Sequence, residues 1–517
     1  MFLSRAAGKS LLSNAKKRAK ALAFMNPQPS PKSPFRSFFR NWISFAGIII
    51  VLASILAFLL LITLDYFAED DSPYLGVLTY LIVPATLFFG LFVVFVGFLL
   101  QRRQMARSKT GEISPILSID LNRPRDRRML GAFLFLSLFL FLVTAIASYQ
   151  TYHITKTVQF CGETCHEIMK PQYITAQHSP HARVECTACH VGPEAVSYVK
   201  SKFNGLRQVY VALKGDFKGP IVAHDKIQIN QKTCEQCHWP DRYVGNRDRT
   251  FNHFLDDDDN TPYSVRLSLK VGGGDPTHGP VGGIHWHMNV NNKVEYIATD
   301  EMRQKIPWIR LTDASGKVTE FRTAGFKDDP QQHTIHTMDC MDCHSRPAHH
   351  FRAPNDAVDL AMSAGRISTK LPAIKKAAVN SLTKEYKTQA EALQAIAATL
   401  REKYSGHADV EATIKEVQHI YSIYFFPEMN THWKLRPNNI GHKDSPGCFR
   451  CHDNEHVSTD GMRTLGNKDC NQCHTILAEG RGEEFEKLSS AGLTFMHPEE
   501  GWDDLNCYDC HNGSMDD

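Results

Sequence analysis

The first 152 residues of this 517-residue chain contain neither cysteine nor histidine, although the whole chain has fourteen cysteines and twenty-five histidines. Residues 1–41 also lack any acid, while they carry nine lysines and arginines. Charge is absent again from three long runs, Trp42–Leu64, Tyr74–Leu100 and Met129–Ser148. The N-terminal part therefore has no thiol or imidazole to ligate a transition metal, and its apolar runs must lie in a core or a membrane.

Each uncharged run is long enough to cross a hydrocarbon core of roughly 30 Å, so the sequence predicts three membrane-spanning helices. The first connection, 65–73, contains four acids and no base, whereas the second, 101–128, contains eight bases. The positive-inside rule then places the N-terminus and the second connection in the cytoplasm, and the chain after residue 148 on the outer side. A cleaved signal peptide is the alternative for the basic lead, but 41 residues is long for its charged region.

The missing residue types also restrict what these helices can do. Without histidine they cannot ligate a bis-histidine b-type haem, and without charge they offer no proton path through the bilayer. Residues 1–128 carry seventeen bases against seven acids, and residues 129–517 carry forty-one bases against forty-eight acids. A basic flank beside apolar runs, followed by an acidic bulk, argues for a membrane protein and against nucleic-acid binding.

The fourteen cysteines form seven pairs, and each pair is followed at once by a histidine. Six pairs have the Cys-x-x-Cys-His spacing of c-type haem attachment, in which two thiols bind the porphyrin and the imidazole ligates the iron. The first pair has one extra residue between its cysteines. In chain order, motifs 1 to 7 are Cys161/Cys165/His166, Cys186/Cys189/His190, Cys234/Cys237/His238, Cys340/Cys343/His344, Cys448/Cys451/His452, Cys470/Cys473/His474 and Cys507/Cys510/His511.

Zinc ribbons, thioredoxin-like dithiols and a disulfide framework are the alternatives for paired cysteines. None of them needs a histidine after every pair, and no cysteine is left over. The sequence therefore predicts seven covalently bound c-type haems, attached on the outer face of a bacterial cytoplasmic membrane. This location agrees with the topology that the charged connections predict.

Seven irons need sixth ligands, and eighteen histidines lie outside the motifs. A surplus histidine is by default a surface residue, but some lie close to a motif and are predicted to ligate a neighbouring haem. His285 and His287 flank Trp286, and alternation in a strand would point both to one face. Met169, three residues after His166, is the candidate ligand at motif 1, with a buried core methionine as the alternative. The predicted distal histidines are His181, His285, His287, His349, His442, His456 and His497.

The predicted fold is an α-helical membrane anchor of three transmembrane helices, followed by a mainly α, haem-packed multihaem cytochrome c domain with a small β-rich insertion. Alternating apolar residues from Val265 to Val271 and a turn at 313–316 predict short strands. A capping box at Thr388–Glu391 and the pattern of Asp409–Phe425 predict helices. The expected segments are a basic cytoplasmic lead (1–41), the anchor (42–148), a first haem domain (149–245), the insertion (246–335) and a helical multihaem domain (336–517).

An apolar helix leading to Phe160-Cys161…Cys165-His166…Met169, followed by a motif that ends Cys189-His190-Val191, resembles the NapC/NirT/NrfH family of quinol dehydrogenases. The resemblance covers roughly residues 130 to 240. It implies a first haem at the membrane surface with a methionine ligand, and a quinol pocket lined by a lysine and an acid from the stretch after motif 2. The matching candidates are Lys200, Lys202 and Asp216.

Three predicted helices, an irregular first motif and seven haems depart from that family's pattern of one helix and four or five haems. In these features the chain looks like the heptahaem inner-membrane cytochromes of metal-reducing bacteria (the ImcH type). That resemblance implies electron transfer from menaquinol in the membrane quinol pool to periplasmic c-type cytochromes, in anaerobic or extracellular respiration. The alternatives are a terminal reductase of nitrite or another oxyanion with one open haem, and a haem-based sensor or structural subunit.

Overall fold

The structure is a computed structural model that describes residues 41–67, 82–107, 157–163, 166–191, 231–238, 245–272, 282–289, 291–435, 437–466, 469–498 and 505–514, with isolated residues between 122 and 220. The chain divides into two compact units, which are described separately. One contains Met1–Ala147 and Glu194–Val199, and the other contains Ser148–Pro193 and Lys200–Asp517.

The secondary structure is mainly helical with two sheets. The helices are α1 (Trp42–Phe67), α2 (Val83–Arg107), α3 (Val158–Glu163), α4 (His166–Gln177), α5 (Cys186–His190), α6 (Gln231–Glu235), α7 (Cys340–Cys343), α8 (Pro354–Ser363), α9 (Ile374–Thr383), α10 (Gln389–Lys403), α11 (Val410–Tyr424), α12 (Glu483–Glu486) and α13 (Cys507–Cys510). The strands are β1 (Arg247–Phe254), β2 (Pro262–Leu269), β3 (Lys293–Ile297), β4 (Trp308–Thr312), β5 (Val318–Arg322), β6 (Ile335–Thr337), β7 (Val457–Ser458) and β8 (His474–Gly480).

Two helices of the first unit are long and apolar enough to cross a membrane. The segment Trp42–Leu60 of α1 has a mean hydropathy of 2.8, and Val83–Arg103 of α2 has one of 2.5. These helices fall on the first two predicted spans. The third predicted span, Met129–Ser148, lies mostly outside the described residues and stays a prediction.

Small and polar residues join α1 to α2. A Cβ atom on Gly47 would lie 2.7 Å from the backbone nitrogen of Val94, so only glycine allows this approach of the two backbones. The Asn41 amide donates to the carbonyl of Gly97 at 2.9 Å. The hydroxyls of Ser54 and Thr86 lie 3.0 Å apart. Such contacts hold helices together in lipid, where apolar burial supplies no driving force between them.

The largest apolar core of the second unit lies in its cysteine-free stretch, where α8, α9, α10 and α11 pack against one another. Ile396 and Leu400 of α10 are fully buried there, as the predicted apolar face requires. The Thr388 hydroxyl caps α10 by accepting from the backbone nitrogen of Glu391 at 3.2 Å. The Glu391 carboxylate bonds the nitrogen of Lys387 instead of that of Thr388. Helical side chains therefore build this core among themselves, and the haem packing of the domain stays a prediction.

Two antiparallel sheets accompany the helices. One has the order β1-β2-β8 and the other the order β6-β3-β4-β5-β7. The predicted turn connects β4 to β5, with Thr312 opposite Val318 and Gly316 at a φ of 82°. Each sheet takes its last strand from beyond residue 450, because β7 and β8 come from the segment that carries motifs 5 and 6. The predicted division of the chain at residue 335 stays a prediction.

Candidate haem-binding array

Several Cys-x-x-Cys-His motifs form a single helical turn. In motif 4, the Asp339 carboxylate accepts from the nitrogen of Met341 at 2.7 Å, and the Asp342 carboxylate accepts from the nitrogen of Asp339 at 2.7 Å. This reciprocal capping box fixes α7 at its first residue, and Asn506 with Asp509 repeats it at α13. This short helix places both cysteines and the following histidine close together.

The motif cysteines differ in their exposure to solvent. Cys237, Cys470 and Cys510 are exposed, whereas the other described cysteines are half-buried. Cys237 lies in the turn that follows α6, where its backbone nitrogen donates to the carbonyl oxygen of Cys234 at 3.1 Å. The pKa of Cys189 is raised mainly by burial, and then by the nearby thiols of Cys234 and Cys237. Motif 3 therefore lies beside motif 2. The structure thus places Cys237 at the surface, and its attachment to haem stays a prediction.

Six motif histidines lie opposite a second histidine from elsewhere in the chain. The ring centroids of these pairs are 5.9 to 6.3 Å apart. Every pair joins a motif histidine to one of the predicted distal histidines. The pairs are His190–His349, His238–His181, His344–His285, His452–His287, His474–His442 and His511–His497.

This separation fits two imidazoles on opposite sides of one metal ion. Two metal–nitrogen bonds of about 2.0 Å, with roughly 1.1 Å from each nitrogen to its ring centroid, give about 6.2 Å. Rings in direct stacking contact lie closer, as the 4.2 Å between His442 and Phe449 of motif 5 illustrates. The residues present therefore fit bis-histidine ligation at motifs 2 to 7.

Backbone carbonyls orient four of the distal imidazoles. The Nδ1 atoms of His181 and His349 lie 3.0 Å from the carbonyl oxygens of Pro347 and Gln172. His285 and His287 make the same kind of bond to Val271 and Ile284, at 3.1 and 2.8 Å. A hydrogen bond donated by Nδ1 fixes the tautomer in which Nε2 is unprotonated, and it fixes the plane of the ring. The distal histidines are thus prepared to ligate through Nε2.

Burial also favours the neutral, metal-binding form of several of the paired imidazoles. It lowers the pKa of His349 to about 4. The pKa values of His190, His344 and His474 are lowered by burial as well. At neutral pH these rings carry no proton that would have to leave before ligation.

His285 and His287 correct the prediction that both lie on a strand and face one way. They occupy a five-residue 3₁₀ helix, Ile284–Met288, and reach motif 4 and motif 5 respectively. Trp286, between them, has its ring centroid 5.8 Å from that of His287. One short turn of the chain thus serves two consecutive motifs.

His456 does not occupy a distal position. Its ring is fully buried, with Nδ1 2.9 Å from Oδ1 of Asp453 and Nε2 2.7 Å from the carbonyl oxygen of Ile306. Both ring nitrogens therefore lie within hydrogen-bond distance of an oxygen atom, and neither faces a motif histidine. The prediction for His456 is therefore wrong on geometric grounds, and the residue ties motif 5 to the sheet that contains β4.

Motif 1 is described in part. Met169 lies half-buried on α4, three residues after His166. Cys165, the His166 side chain and the predicted pocket residues Lys200, Lys202 and Asp216 lie outside the described part of the chain. Their roles stay predictions.

Gly162, inside motif 1, packs directly on the ring of Tyr173 in α4. A Cβ atom at this position would lie 2.1 Å from Cδ2 of Tyr173. We expect Gly162→Ala to push α3 from α4 and to reduce the amount of haem-loaded protein, measured by haem staining. Gly162→Ala combined with Tyr173→Leu should recover most of that loss, because the smaller side chain vacates the space. Equal loading of wild type and Gly162→Ala would contradict this account.

The cysteines place the motifs in sequence order through space. The thiol of Cys161 lies beside that of Cys186, and the thiol of Cys234 lies beside that of Cys340. For four other cysteines the pKa is raised mainly by burial and then by a nearby thiol of the next or the preceding motif. The second cause shows which motifs are neighbours. Such neighbours link Cys189 to Cys234, Cys343 to Cys448, Cys473 to Cys448 and Cys507 to Cys470. Each motif therefore lies beside the next, from motif 1 to motif 7.

Neither a disulfide framework nor a zinc ribbon matches this arrangement. The thirteen cysteines within the described residues form no disulfide bonds with one another. Among those residues, the one group of three metal-ligating side chains is His253, Asp356 and Asp359, which includes no cysteine. Lys375 lies 2.8 Å from Asp359, and Lys443 lies 3.0 Å from Asp356, so lysines already supply the positive charge there. We interpret this group as an ion-pair network.

Within the described residues, the structure brings together a further histidine pair that the sequence does not predict. The rings of His178 and His419 have centroids 6.2 Å apart, where the end of α4 meets α11. Both residues are exposed, and neither follows a cysteine pair. No sequence signal distinguishes them from ordinary surface histidines, and we assign no haem to them.

Comparison with known proteins agrees with the array. Residues 123–243 match the family described as NapC/NirT cytochrome c family, N-terminal region. The chain is 36% identical over 493 residues to cytochrome c-type protein ImcH of Geobacter sulfurreducens, covering 92% of this chain and 96% of that protein. It is 30% identical over 103 residues to cytochrome c-type protein TorY of Haemophilus influenzae, covering 17% and 28%. No solved structure matches.

Proposed function

Because the chain belongs to the NapC/NirT family of c-type cytochromes, we propose that it is a heptahaem menaquinol dehydrogenase of the bacterial inner membrane. In this proposal the N-terminus is cytoplasmic and the haem domain is periplasmic. The protein takes electrons from the membrane quinol pool and delivers them to periplasmic c-type cytochromes in anaerobic or extracellular respiration. The apolar helices α1 and α2 anchor it in the bilayer.

The observation that carries the proposal is the continuous line of motifs, six of them with a second histidine opposite the first. Membership of the family implies covalently bound c-type haem, which supplies one-electron redox chemistry. A line that begins with motif 1, directly after the predicted third membrane helix, and continues to motif 7 suits transfer from a membrane donor to a distant acceptor.

The residues of the chain hold and orient this array. With haem bound, the paired cysteines would form the thioether attachments, and the motif histidines would be the proximal ligands. The distal histidines come from other segments, so each ligation also ties two parts of the chain together. His349, which follows motif 4, faces motif 2, and His442, which precedes motif 5, faces motif 6. This arrangement would restrict the relative movement of the motifs that it connects, motif 4 with motif 2 and motif 5 with motif 6.

Motif 1 is the proposed site of quinol oxidation. The distal histidines that the sequence predicts are used at motifs 2 to 7 or, for His456, by Asp453 and Ile306. None of that set is left for motif 1, which supports Met169 as its ligand. Oxidation of one quinol releases two electrons and two protons. Lys200, Lys202 and Asp216 are the proposed residues that line the pocket and accept the protons.

Bis-histidine ligation at motifs 2 to 7 also weighs against a terminal reductase, which needs an open iron. The deciding experiment reconstitutes the haem-loaded chain in lipid and adds a menaquinol analogue while haem absorbance is recorded. We expect the quinol to reduce the protein, and nitrite added afterwards to leave it reduced. Absence of reduction would refute the proposal, and rapid reoxidation by nitrite would favour the reductase.

Replacement of Met169 by histidine tests the special character of motif 1. Because a thioether ligand raises the potential relative to a second imidazole, Met169→His should lower the potential of one haem and slow quinol oxidation. Met302→His, at an exposed methionine outside the motifs, is the matched control and should change neither. A redox titration that is identical for wild type and Met169→His would remove Met169 from the ligand set.

A further inference from the structure

The segment that contains the last motif is strongly acidic. Residues 479–517 carry eleven acids and two bases, a net charge of −9, whereas the whole stretch 129–517 has a net charge of −7. Within the described residues, several of these acids project into solvent. Glu483, Glu484 and Glu486 of α12 and Asp509 of α13 are exposed.

These acids are held close to motif 7 by the packing of β8. The backbone nitrogen of Met496 donates to the Glu479 carboxylate of β8 at 2.7 Å. The next residue, His497, has its ring 5.9 Å from that of His511. Since α12 begins three residues after β8 ends, it lies near the same surface. The acidic helix and the last motif therefore share one region of the molecule.

Apolar side chains are exposed in the same region. Met496 is 71% exposed and Leu505, two residues before Cys507, is 53% exposed. Leu488, which follows α12, is 62% exposed. Apolar groups beside a charged rim are the usual composition of a transient protein–protein interface. We call the surface formed by Glu483, Glu484, Glu486, Leu488, Met496, Leu505 and Asp509 the motif 7 face.

Motif 7 is also the far end of the line. Its neighbour is motif 6, through Cys507 and Cys470. Cys510 and His511 are exposed in the structure. A group bound by these residues lies at the surface, where a partner can approach it, while motif 1 lies at the opposite end of the sequence of neighbours.

We propose that the motif 7 face docks a basic c-type cytochrome, one whose lysines surround its own exposed haem edge. This inference rests on the proposed function, because it names the class of acceptor that takes electrons from the array. Charge complementarity selects the partner: a net charge of −9 in this segment attracts a lysine-rich rim and repels an acidic cytochrome or an anion. The exposed methionine and leucines supply the apolar centre of a short-lived complex.

The test uses the haem-loaded full chain in lipid nanodiscs, with horse-heart cytochrome c as the basic probe and its succinylated form as the acidic probe. Binding is measured by calorimetry. We expect binding of the basic probe alone, weakened by about tenfold or more when salt is raised from about 20 mM to about 200 mM. The variant Glu483→Lys/Glu484→Lys/Glu486→Lys should weaken it by a similar factor.

The control variant, Asp328→Lys/Glu385→Lys/Glu402→Lys, makes the same change of charge at exposed acids on other elements and should weaken binding much less. Equal weakening of binding by both variants would overturn the proposal, because binding would then depend on the net charge of the whole chain and not on the motif 7 face. On the wild-type chain, carbodiimide should join lysines of the probe to Glu483, Glu484, Glu486 or Asp509. Cross-links confined to other carboxylates would also overturn the proposal, without reliance on any variant.

The docking surface and the proposed function can fail separately. If menaquinol analogue reduces the chain but the basic probe does not bind at the motif 7 face, the docking proposal falls and the dehydrogenase remains. If the probe binds there but the quinol does not reduce the chain, the dehydrogenase falls and the docking surface remains.

Discussion

Replacement of His285 by methionine is expected to raise the potential of the haem at motif 4 by on the order of 100 mV, a fraction of the roughly 0.8 V over which axial ligands tune haem potentials. His287→Met should do the same at motif 5. The two histidines are two residues apart, yet their rings face His344 and His452 of different motifs. Moving the substitution from His285 to His287 should therefore shift the rise in potential from the haem at motif 4 to the haem at motif 5.

The measurement is a spectroelectrochemical titration of each variant, with the near-infrared band of methionine ligation as a signature independent of potential. The double variant should show two shifted haems. His456→Met is the control, because the structure engages both nitrogens of His456 with Asp453 and Ile306. If His285→Met and His287→Met shifted the same haem, or if His456→Met produced the methionine band, the ligand pairs would be wrong.

The sequence predicts well those parts of the fold that depend on local signals. The helices α10 and α11 follow from a capping threonine and an apolar face, and the β4–β5 hairpin follows from its Asp-Ala-Ser-Gly turn. The pairing of β8 with β2 connects Leu269 to His474, some two hundred residues apart. No local pattern specifies such a partner, because a strand edge accepts any extended segment of suitable register.

The distal histidines show where proximity in sequence is informative and where it misleads. The prediction that a histidine near one motif serves another agrees with His181, His349 and His442. His497 faces the motif that follows it, ten residues later. His456 fails for a local reason that the sequence contains: Asp453, three residues earlier, competes for the imidazole.

The backbone explains why the strand expected at His285 and His287 is a 3₁₀ helix. Gly283 has a φ of 73°, and a Cβ atom there would lie 2.2 Å from the carbonyl oxygen of Lys270. The turn folds the chain back onto the end of β2, where the nitrogen of Ile284 donates to that carbonyl at 2.8 Å. A glycine pair followed by alternating residues is compatible with either conformation, and only the position of β2 decides between them.

The last prediction follows from the order of the motifs in space. If the haems conduct in series, removal of one motif should interrupt electron transfer to the motifs after it. Removal of motif 4 by Cys340→Ala/Cys343→Ala should leave the menaquinol analogue able to reduce only the haems of motifs 1 to 3, about half of the remaining absorbance change. Dithionite, which reaches every haem from solution, should still reduce all of the remaining haems. The order of neighbouring thiols predicts this result, since Cys234 lies beside Cys340 and Cys448 lies near enough to Cys343 to raise its pKa.

The matched variant Cys507→Ala/Cys510→Ala removes one haem from the end of the line. Here the quinol should reduce all the remaining haems, because motif 7 has motif 6 as its neighbour and no later motif depends on it. Both variants lose one attachment site, so the comparison separates position in the line from loss of a haem as such. If quinol reduced the motif 4 variant as completely as the motif 7 variant, electrons would have a second route past motif 4. The motifs would then form a branched network, and the distal ligands that connect motifs 2 and 4 would be the first place to search for that route.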